Sequence, residues 1–226
     1  MVSNLPGRSI VISRSTKKPF AIMNELPKIV VMVSGSGTNL QAIIDAVQGG
    51  DITAIISLVV SNRKDAYGLV RAQNANIPTL YFPLKPYRDE NKSRDQYDAD
   101  LAAEIQKVKP DLIVLAGWMH ILSAAFLNQF PNRVINLHPA LPGQFDGTHA
   151  IERAFDAYQQ GQIEQSGCMV HLVIPEVDAG PVVAQKSVLI RPEDTVGDFE
   201  ARMHTTEHEL IVEAVQVMLG RLKDER

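Results

Sequence analysis

The chain has 226 residues, 45% of them hydrophobic and 21% charged, which is typical of one sizeable globular domain. Its formal net charge of −4 excludes a global basic field that would attract nucleic acid or anionic lipid, and no apolar run approaches the roughly 18 residues of a membrane span. A single cysteine excludes a disulfide framework within one chain and favours a reducing, cytoplasmic location.

The first 27 residues differ in charge from the rest of the chain. Four basic residues and no acidic residue come before Glu25: Arg8, Arg14, Lys17 and Lys18. Such a segment could be an organelle transit peptide, but we favour a tail or an upstream start ahead of Met23. We interpret 1–27 as an N-terminal extension and 28–226 as a single domain.

Strands and helices alternate over the next part of the chain. A continuous apolar run at 28–34 predicts a buried strand of a parallel sheet. Leu40 begins a hydrophobic i, i+3, i+4, i+7 pattern, which predicts a helix that ends at Gly49 and Gly50. Further strands are predicted at 53–61, 79–82, 111–117 and 133–138, and further helices at 66–75 and 93–108. The alternation predicts βαβ units with right-handed crossovers.

The alternation of strands and helices changes after residue 138. A helix near 149–159 leads to two strands, 168–174 and 182–190, whose short connection predicts an antiparallel pair. A long helix near 195–221 follows. We therefore predict an α/β fold with a mostly parallel central sheet of about seven strands, an antiparallel C-terminal portion and helices on both faces.

The segment SGSGTNL follows the first predicted strand, at the edge of the sheet where open parallel sheets bind ligands. Its glycines permit close backbone approach, and the amides of Gly37, Thr38 and Asn39 open a helix, which predicts an anion site. The third glycine of a dinucleotide fingerprint and the lysine of a Walker loop are missing, so we predict a site for one phosphate. The alternative is a plain turn between strand and helix.

Two polar side chains interrupt the apolar segment INLHPALPG. Because side chains alternate along a strand, Asn136 and His138 share one face, and Pro139 stops the strand after them. An amide that donates and an imidazole that donates or exchanges a proton can together stabilise an oxyanion. The alternative is a structural pair, in which the asparagine bonds to backbone and the histidine is partly buried and satisfied.

Asp178 lies in the turn EVDAGPV between the last two predicted strands. An aspartate in a tight turn commonly caps the local backbone. If Asp178 lies against His138 instead, it is an orienting carboxylate that favours the imidazolium form.

Three further features remain open to interpretation. Cys168 could be a nucleophile, but its apolar surroundings favour a small buried hydrophobe. His204 and His208 stand at i and i+4 without an HExxH pattern, so we predict no metal site. The segment AGWMHIL follows the fourth strand, and its periodicity is compatible both with core and with an apolar slot for a flat ligand.

Five segments, in this order along the chain, resemble the phosphoribosylglycinamide formyltransferase family: VSGSGTNLQAIIDA, VLAGWMHIL, INLHPAL, VDAGPV and TTEHEL. The resemblance extends from Lys28 to Leu222. It implies a Rossmann-like formyltransferase fold with a phosphate-binding half at 28–130 and a folate-binding and catalytic half at 131–226. It also implies transfer of the formyl group of 10-formyltetrahydrofolate to the amine of glycinamide ribonucleotide, in de novo purine biosynthesis and without a metal.

The resemblance also implies roles for individual residues. Asn136, His138 and Asp178 would be the catalytic residues. The ribonucleotide would contact Gly37, Thr38, Asn39, His204, Thr205, Thr206 and Glu207, and Glu207 would pair with its glycyl amine. Folate would contact Arg94, Met119, His120, Ile121, Leu122, Asn136, Ile174, Pro175, Glu176, Val177 and Asp178. His120 departs from the family pattern, because many relatives carry arginine at this position.

In the implied chemistry, the neutral amine attacks the formyl carbon and produces a tetrahedral oxyanion. Asn136 and a protonated His138 would donate hydrogen bonds to it, and Asp178 would raise the proton affinity of the histidine and help to move a proton to the leaving folate nitrogen. The expected partners are these two small molecules, with neither nucleic acid nor membrane, and the expected assembly is a monomer or a homodimer.

Three other functions compete with this one. A methionyl-tRNA formyltransferase would need an additional C-terminal domain and a basic surface for tRNA. A formyltetrahydrofolate hydrolase would need an N-terminal regulatory domain, which 27 residues cannot supply. A non-catalytic nucleotide-binding module would bind its ligand without turnover, and it would not need the three catalytic candidates to converge.

Overall fold

The computed structural model describes residues 26–224, so residues 1–25 of the predicted extension lie outside the described residues. Seven strands form one sheet in this part of the chain: β1 (Lys28–Val33), β2 (Ile55–Ser61), β3 (Thr79–Tyr81), β4 (Leu112–Leu115), β5 (Val134–His138), β6 (Gln165–Leu172) and β7 (Val182–Leu189). The helices are α1 (Thr38–Gly49), α2 (Tyr67–Asn74), α3 (Lys85–Asp89), α4 (Arg94–Gln106), α5 (Ala124–Leu127), α6 (Ala150–Gln159) and α7 (Val196–Asp224).

The strand order across the sheet is β3-β2-β1-β4-β5-β6-β7. The first five strands along the chain pair in parallel, whereas β6 runs antiparallel to both β5 and β7. This confirms the predicted mostly parallel sheet with an antiparallel C-terminal portion. The chain moves outward from β1 first on the β2 side and then on the β4 side, so a crevice opens at the carboxyl ends of β1 and β4.

Helices cover both faces of the sheet, as predicted, because the inner strands are apolar on both sides. Ile29, Val31 and Val33 of β1 pack into a core with residues of α1, α2, α6 and α7. The alternate side chains Val30 and Met32 pack into a second core with residues of α4 and α5. Alternation along a single buried strand therefore anchors two helical layers.

The structure differs from the prediction in a few elements. The short helices α3 and α5 were not predicted, since five and four residues are too few to show a helical period. Strand β6 begins at Gln165, before the predicted start at 168, because the polar segment 165–167 pairs with β7. Pairing with a neighbouring strand here overrides the weak strand propensity of Gln165, Ser166 and Gly167. Among residues 26–224, no helix combines the length and apolarity needed to cross a membrane.

Two glycines let α2 lie directly against the β1–α1 loop (residues 34–37). Gly37 has φ of 71°, and a Cβ atom on it would lie 2.6 Å from the Gly68 Cα atom. A Cβ atom on Gly68 would lie 2.8 Å from Cγ2 of the fully buried Val33. The Gly68 amide donates to the Gly35 carbonyl at 3.1 Å. The first turn of α2 therefore supports the loop through backbone contact.

We expect the Gly68→Ala substitution to lower the free energy of unfolding by about 1–3 kcal/mol, because the added methyl group overpacks the contact with Val33. Gly220→Ala is the matched control, since Gly220 is also helical and a Cβ atom there meets nothing within 4 Å. The control should raise stability by about 1 kcal/mol or less through helix propensity. Urea unfolding of both variants measures the difference, and equal stabilities would contradict the close packing of α2.

Candidate active site

A cleft of about 720 Å³ opens at the carboxyl ends of β1, β4 and β5. Its wall includes the β1–α1 loop, the segment after β4, the end of β5, the β6–β7 loop (residues 173–181) and one face of α7. Of the predicted catalytic, ribonucleotide and folate residues, all line this cleft except Arg94, Thr205 and Thr206. The topology therefore brings most of the predicted residues to one place.

The β1–α1 loop has the geometry of an anion site. Gly37 precedes α1 in a left-handed conformation, and α1 begins at Thr38 with no acidic residue in its first turn. The first amides of a helix lack partners within it and carry the positive end of its dipole. Thr38 and Asn39, which belong to this turn, line the cleft. Arg71 supports the loop by donating from Nε to the Ser36 carbonyl oxygen at 2.9 Å.

Asn136 and His138 lie at the carboxyl end of β5 and line the cleft together. Nδ2 of Asn136 donates to Oδ1 of Asp178 at 3.3 Å. Nδ1 of His138 lies 3.4 Å from Oδ2 of the same carboxylate. Asn136, His138 and Asp178, predicted from segments far apart in the chain, therefore meet around one carboxylate.

Asp178 is held in place by its backbone and by a neighbouring loop. It has φ of 52°, and a Cβ atom on Gly180, two residues later, would collide with the Leu172 carbonyl oxygen. Its Oδ2 atom accepts a hydrogen bond from the Gly147 amide at 2.8 Å. Burial by itself would raise the pKa of Asp178, but the His171 ring, the Gly147 amide and nearby His138 outweigh burial and hold the pKa below its usual value. The carboxylate is therefore ionised at neutral pH.

The His138 imidazole lies between two hydrogen-bond acceptors. Nδ1 faces Asp178, and Nε2 lies 3.2 Å from the Phe145 carbonyl oxygen. Either neutral tautomer leaves one nitrogen lone pair against an acceptor, and only the imidazolium can donate to both. The side chain is nevertheless buried, and this burial lowers the pKa of His138 although Asp178 and the Phe145 carbonyl act to raise it. Asp178 thus favours the imidazolium as expected, but burial outweighs it and the free cleft holds a neutral ring.

His171 is a cleft residue that the sequence analysis did not select. It is paired with Asn136 in the β5–β6 register and is 2% exposed. Its Nε2 atom lies 3.2 Å from Nδ2 of Asn136 and 3.4 Å from Oδ1 of Asp178. A histidine inside the apolar strand CMVHLVI was a visible signal, but its importance depends on strand pairing that the sequence does not reveal.

The segment after β4 provides an exposed apolar wall. Met119 and Ile121 are 62% and 66% exposed, whereas Trp118 and Leu122 are buried. Trp118 and Leu122 of this segment thus belong to the core, whereas Met119 and Ile121 are exposed as an apolar slot would require. The periodicity of the sequence alone could not separate these alternatives. Burial, and after it the charge of Arg94, lowers the pKa of His120, whose ring also lines the cleft.

Arg94 takes a different position from the one expected of a folate-binding residue. Its Nη2 atom donates to the Ile121 carbonyl oxygen at 2.5 Å, and its Nε atom lies 3.0 Å from Oδ1 of Asp98. Oδ2 of the buried Asp98 accepts from the Ser123 amide at 2.8 Å. Arg94 and Asp98 therefore hold the backbone of the segment that carries the apolar wall, and in this structure Arg94 is not part of the cleft surface.

Of the predicted residues on α7, His204 and Glu207 reach the cleft and the two threonines do not. Nδ1 of His204 lies 2.8 Å from Oε2 of Glu207, and this contact raises the pKa of His204. The hydroxyl groups of Thr205 and Thr206 donate to carbonyl groups of the preceding helical turn. The prediction that these threonines contact the ribonucleotide therefore has no support in the geometry.

In the sequence, Cys168 was weighed for covalent chemistry and the pair His204 and His208 for metal binding. Cys168 is fully buried, and this burial raises the pKa of its thiol to about 12, so it is a poor nucleophile. His208 does not line the cleft beside His204. Within residues 26–224, one group of possible metal ligands, His138, Asp146 and Asp178, has donor atoms within 4.8 Å of one another.

Known proteins resemble this chain in sequence and in fold. A family model described as Formyl transferase matches residues 27–215. The phosphoribosylglycinamide formyltransferase of Dictyostelium discoideum is 47% identical over 199 residues, which are 84% of this chain and 97% of that protein. The enzyme of the same name from Schizosaccharomyces pombe is 48% identical over 199 residues, 84% of this chain and 96% of that protein. The solved structure of glycinamide ribonucleotide transformylase 1 from Symbiobacterium toebii aligns with a TM-score of 0.81 at 38% identity, over 92% of this chain and 94% of that chain.

These similarities include the parts of the chain that build the cleft. The range matched by the family model, 27–215, contains the β1–α1 loop, the residues that meet at Asp178 and the cleft face of α7. Both relatives are matched over nearly their whole length. The chain therefore belongs to the formyl transferase family, and within it to the phosphoribosylglycinamide formyltransferases.

Proposed function

We propose that this protein transfers the formyl group of 10-formyltetrahydrofolate to the amine of glycinamide ribonucleotide, a step of de novo purine biosynthesis. The observation that carries the proposal is the meeting of Asn136, His138 and Asp178 in a cleft whose other wall is a helix N-terminus suited to one phosphate. The curated relatives at 46–48% identity have the name of this enzyme. A non-catalytic binding module would not need this convergence, and neither rival formyl-folate enzyme is favoured.

The two substrates fit opposite parts of the cleft. The ribonucleotide phosphate binds the amides of Gly37, Thr38 and Asn39, and Glu207 pairs with the glycyl amine. The folate ring lies against Met119 to Leu122 and the β6–β7 loop segment Ile174 to Asp178, where an apolar surface suits a flat ligand. Arg94 acts on folate binding indirectly, by holding the Ile121 carbonyl.

The catalytic step follows from the groups around the reacting carbon. The neutral amine attacks the formyl carbon, and the carbonyl oxygen becomes an oxyanion that accepts a hydrogen bond from Nδ2 of Asn136. The attacking nitrogen must lose a proton, and the neutral His138 ring can accept it directly or through water. The resulting imidazolium donates from Nδ1 to Asp178 and from Nε2 to the Phe145 carbonyl, and its positive charge stabilises the oxyanion. Return of the proton to the folate nitrogen releases tetrahydrofolate and the formylated ribonucleotide.

This mechanism uses formyl-folate as its donor and needs neither a metal nor a covalent enzyme intermediate. His138 and Asp178 belong to the group of possible metal ligands, but the mechanism uses them as a proton acceptor and as a carboxylate that stabilises the imidazolium, and neither role requires an ion. The cytoplasmic location and the monomeric or homodimeric state stay predictions from sequence.

We expect Asn136→Ala and His138→Ala each to lower kcat by about 10²–10³, because each removes one group that stabilises the developing charge. The rate of tetrahydrofolate formation from both substrates measures this effect. Asn128→Ala is the control, since Asn128 is exposed at the end of α5 and does not line the cleft. Absence of turnover in the native protein would refute the proposed function, and unchanged turnover in His138→Ala would remove this residue from the mechanism.

Glu207→Gln should raise KM for the ribonucleotide about tenfold or more, because a buried carboxylate that pairs with an amine loses its charge. KM for the folate should change little. Glu209→Gln on the same helix is the matched control, since Glu209 is exposed and pairs with Lys186. Steady-state kinetics with each substrate varied in turn tests this, and an equal rise of both KM values would contradict a specific role at the ribonucleotide.

A further inference from the structure

A short backbone segment contacts both His138 and Asp178, the two catalytic candidates that carry or gain a charge. We call residues 145–147 the strap. Its first carbonyl oxygen, that of Phe145, lies 3.2 Å from Nε2 of His138. Its last amide, that of Gly147, donates to Oδ2 of Asp178 at 2.8 Å. The position of the strap therefore determines whether His138 has an acceptor at Nε2 and whether Asp178 has a donor at Oδ2.

The backbone conformation of the strap is unfavourable in the absence of outside contacts. Phe145 has φ of 49° and Gly147 has φ of 81°. The left-handed region is costly for a bulky residue such as phenylalanine, and a conformation of this kind persists only where surrounding contacts maintain it. Something outside the strap must therefore hold the Phe145 carbonyl toward His138.

Arg153 provides that contact from the first half of α6. Its Nη2 atom donates to the carbonyl oxygens of both Phe145 and Asp146, each at 2.6 Å. Its guanidinium carbon also lies 5.8 Å from the centre of the Phe145 ring. The Arg153 amide donates to the His149 carbonyl, which fixes the base of the side chain in the helix. A planar guanidinium suits simultaneous contact with two neighbouring carbonyls and a ring better than an ammonium does.

We propose that Arg153 is a positioning residue for the formyl transfer: it holds the strap so that the Phe145 carbonyl accepts from His138 when this ring becomes protonated. The inference rests on the proposed function of the cleft. Arg153 is exposed and lies outside the cleft wall, so it acts through the strap and does not contact the reacting atoms. Two donors, Nη2 of Arg153 and Nε2 of His138, then share one carbonyl oxygen.

The charged and titratable groups around His138 give the expected direction of the effect. Asp178 on the β6–β7 loop and Asp146 in the strap raise the pKa of His138, and His171 on β6 lowers it. The Phe145 carbonyl also raises it. Loss of the Arg153 charge acts in the opposite direction, but Arg153 is exposed and solvent screens its charge. Release of the strap removes the contribution of the Phe145 carbonyl, so the pKa of His138 should fall and the imidazolium should be less stable.

The test compares Arg153→Gln and Arg153→Lys with the native protein. We expect Arg153→Gln to lower kcat about tenfold, which corresponds to the loss of about one charge-assisted hydrogen bond. Lysine reaches a single carbonyl, so Arg153→Lys should recover part of the rate. Arg221→Gln, the same change at an exposed arginine in the last turn of α7, is the matched control and should match the native protein.

The second readout is the titration of the His138 ring, followed by NMR of histidine side chains in the enzyme without substrate. The His138 signal is assigned by its loss in His138→Asn. Arg153→Gln should move the midpoint of this titration to lower pH, which a purely structural loss elsewhere would not do. An unchanged midpoint overturns the proposal even if kcat falls, and unchanged kcat overturns it as well. The titration needs no turnover, so an inactive native protein would refute only the proposed function, while a lower midpoint in Arg153→Gln would still support the contact from Arg153 through the strap to His138.

Discussion

The arrangement of the cleft depends on the contacts of the Asp178 carboxylate. This carboxylate is half-buried, and its two oxygens face Asn136 and His171 on one side and His138 and the Gly147 amide on the other. These partners come from β5, from β6 and from the strap. A buried carboxylate is stable only when hydrogen bonds and nearby positive charge replace its lost hydration. The ionised Asp178 carboxylate is therefore stable only when β5, β6 and the strap are correctly assembled around it.

The change of sheet direction after β5 makes this assembly possible. Parallel strands alone would bring loops from β1, β4 and β5 to one edge, and they supply the β1–α1 loop, the apolar wall and the Asn136–His138 pair. Strand β6 runs antiparallel to β5, so His171 lies opposite Asn136 and the following loop carries Asp178 back over the end of β5. The carboxylate thus reaches the same cleft edge from a strand of opposite direction.

The electrostatics of His138 are a balance between burial and oriented acceptors. Burial favours the neutral ring, while Asp178 and the Phe145 carbonyl are placed where only the charged ring can donate to both. A ring that is neutral before reaction and better satisfied when protonated is suited to accept a proton during catalysis. The strap and Arg153 belong to this arrangement because the second acceptor is a backbone carbonyl in a conformation that needs outside support.

The sequence by itself determined the alternation of strands and helices, the shared face of Asn136 and His138, the glycine loop before α1 and the family resemblance. These features are local or lie in short motifs, so side-chain periodicity and backbone conformation reveal them directly. Only the tertiary structure decided that His171 joins Asn136, that Arg94 donates to the Ile121 carbonyl, that Thr205 and Thr206 bond to their own helix and that Arg153 donates to the strap. Strand register, side-chain direction and the balance between burial and charge depend on residues distant in the chain, and no local pattern specifies them.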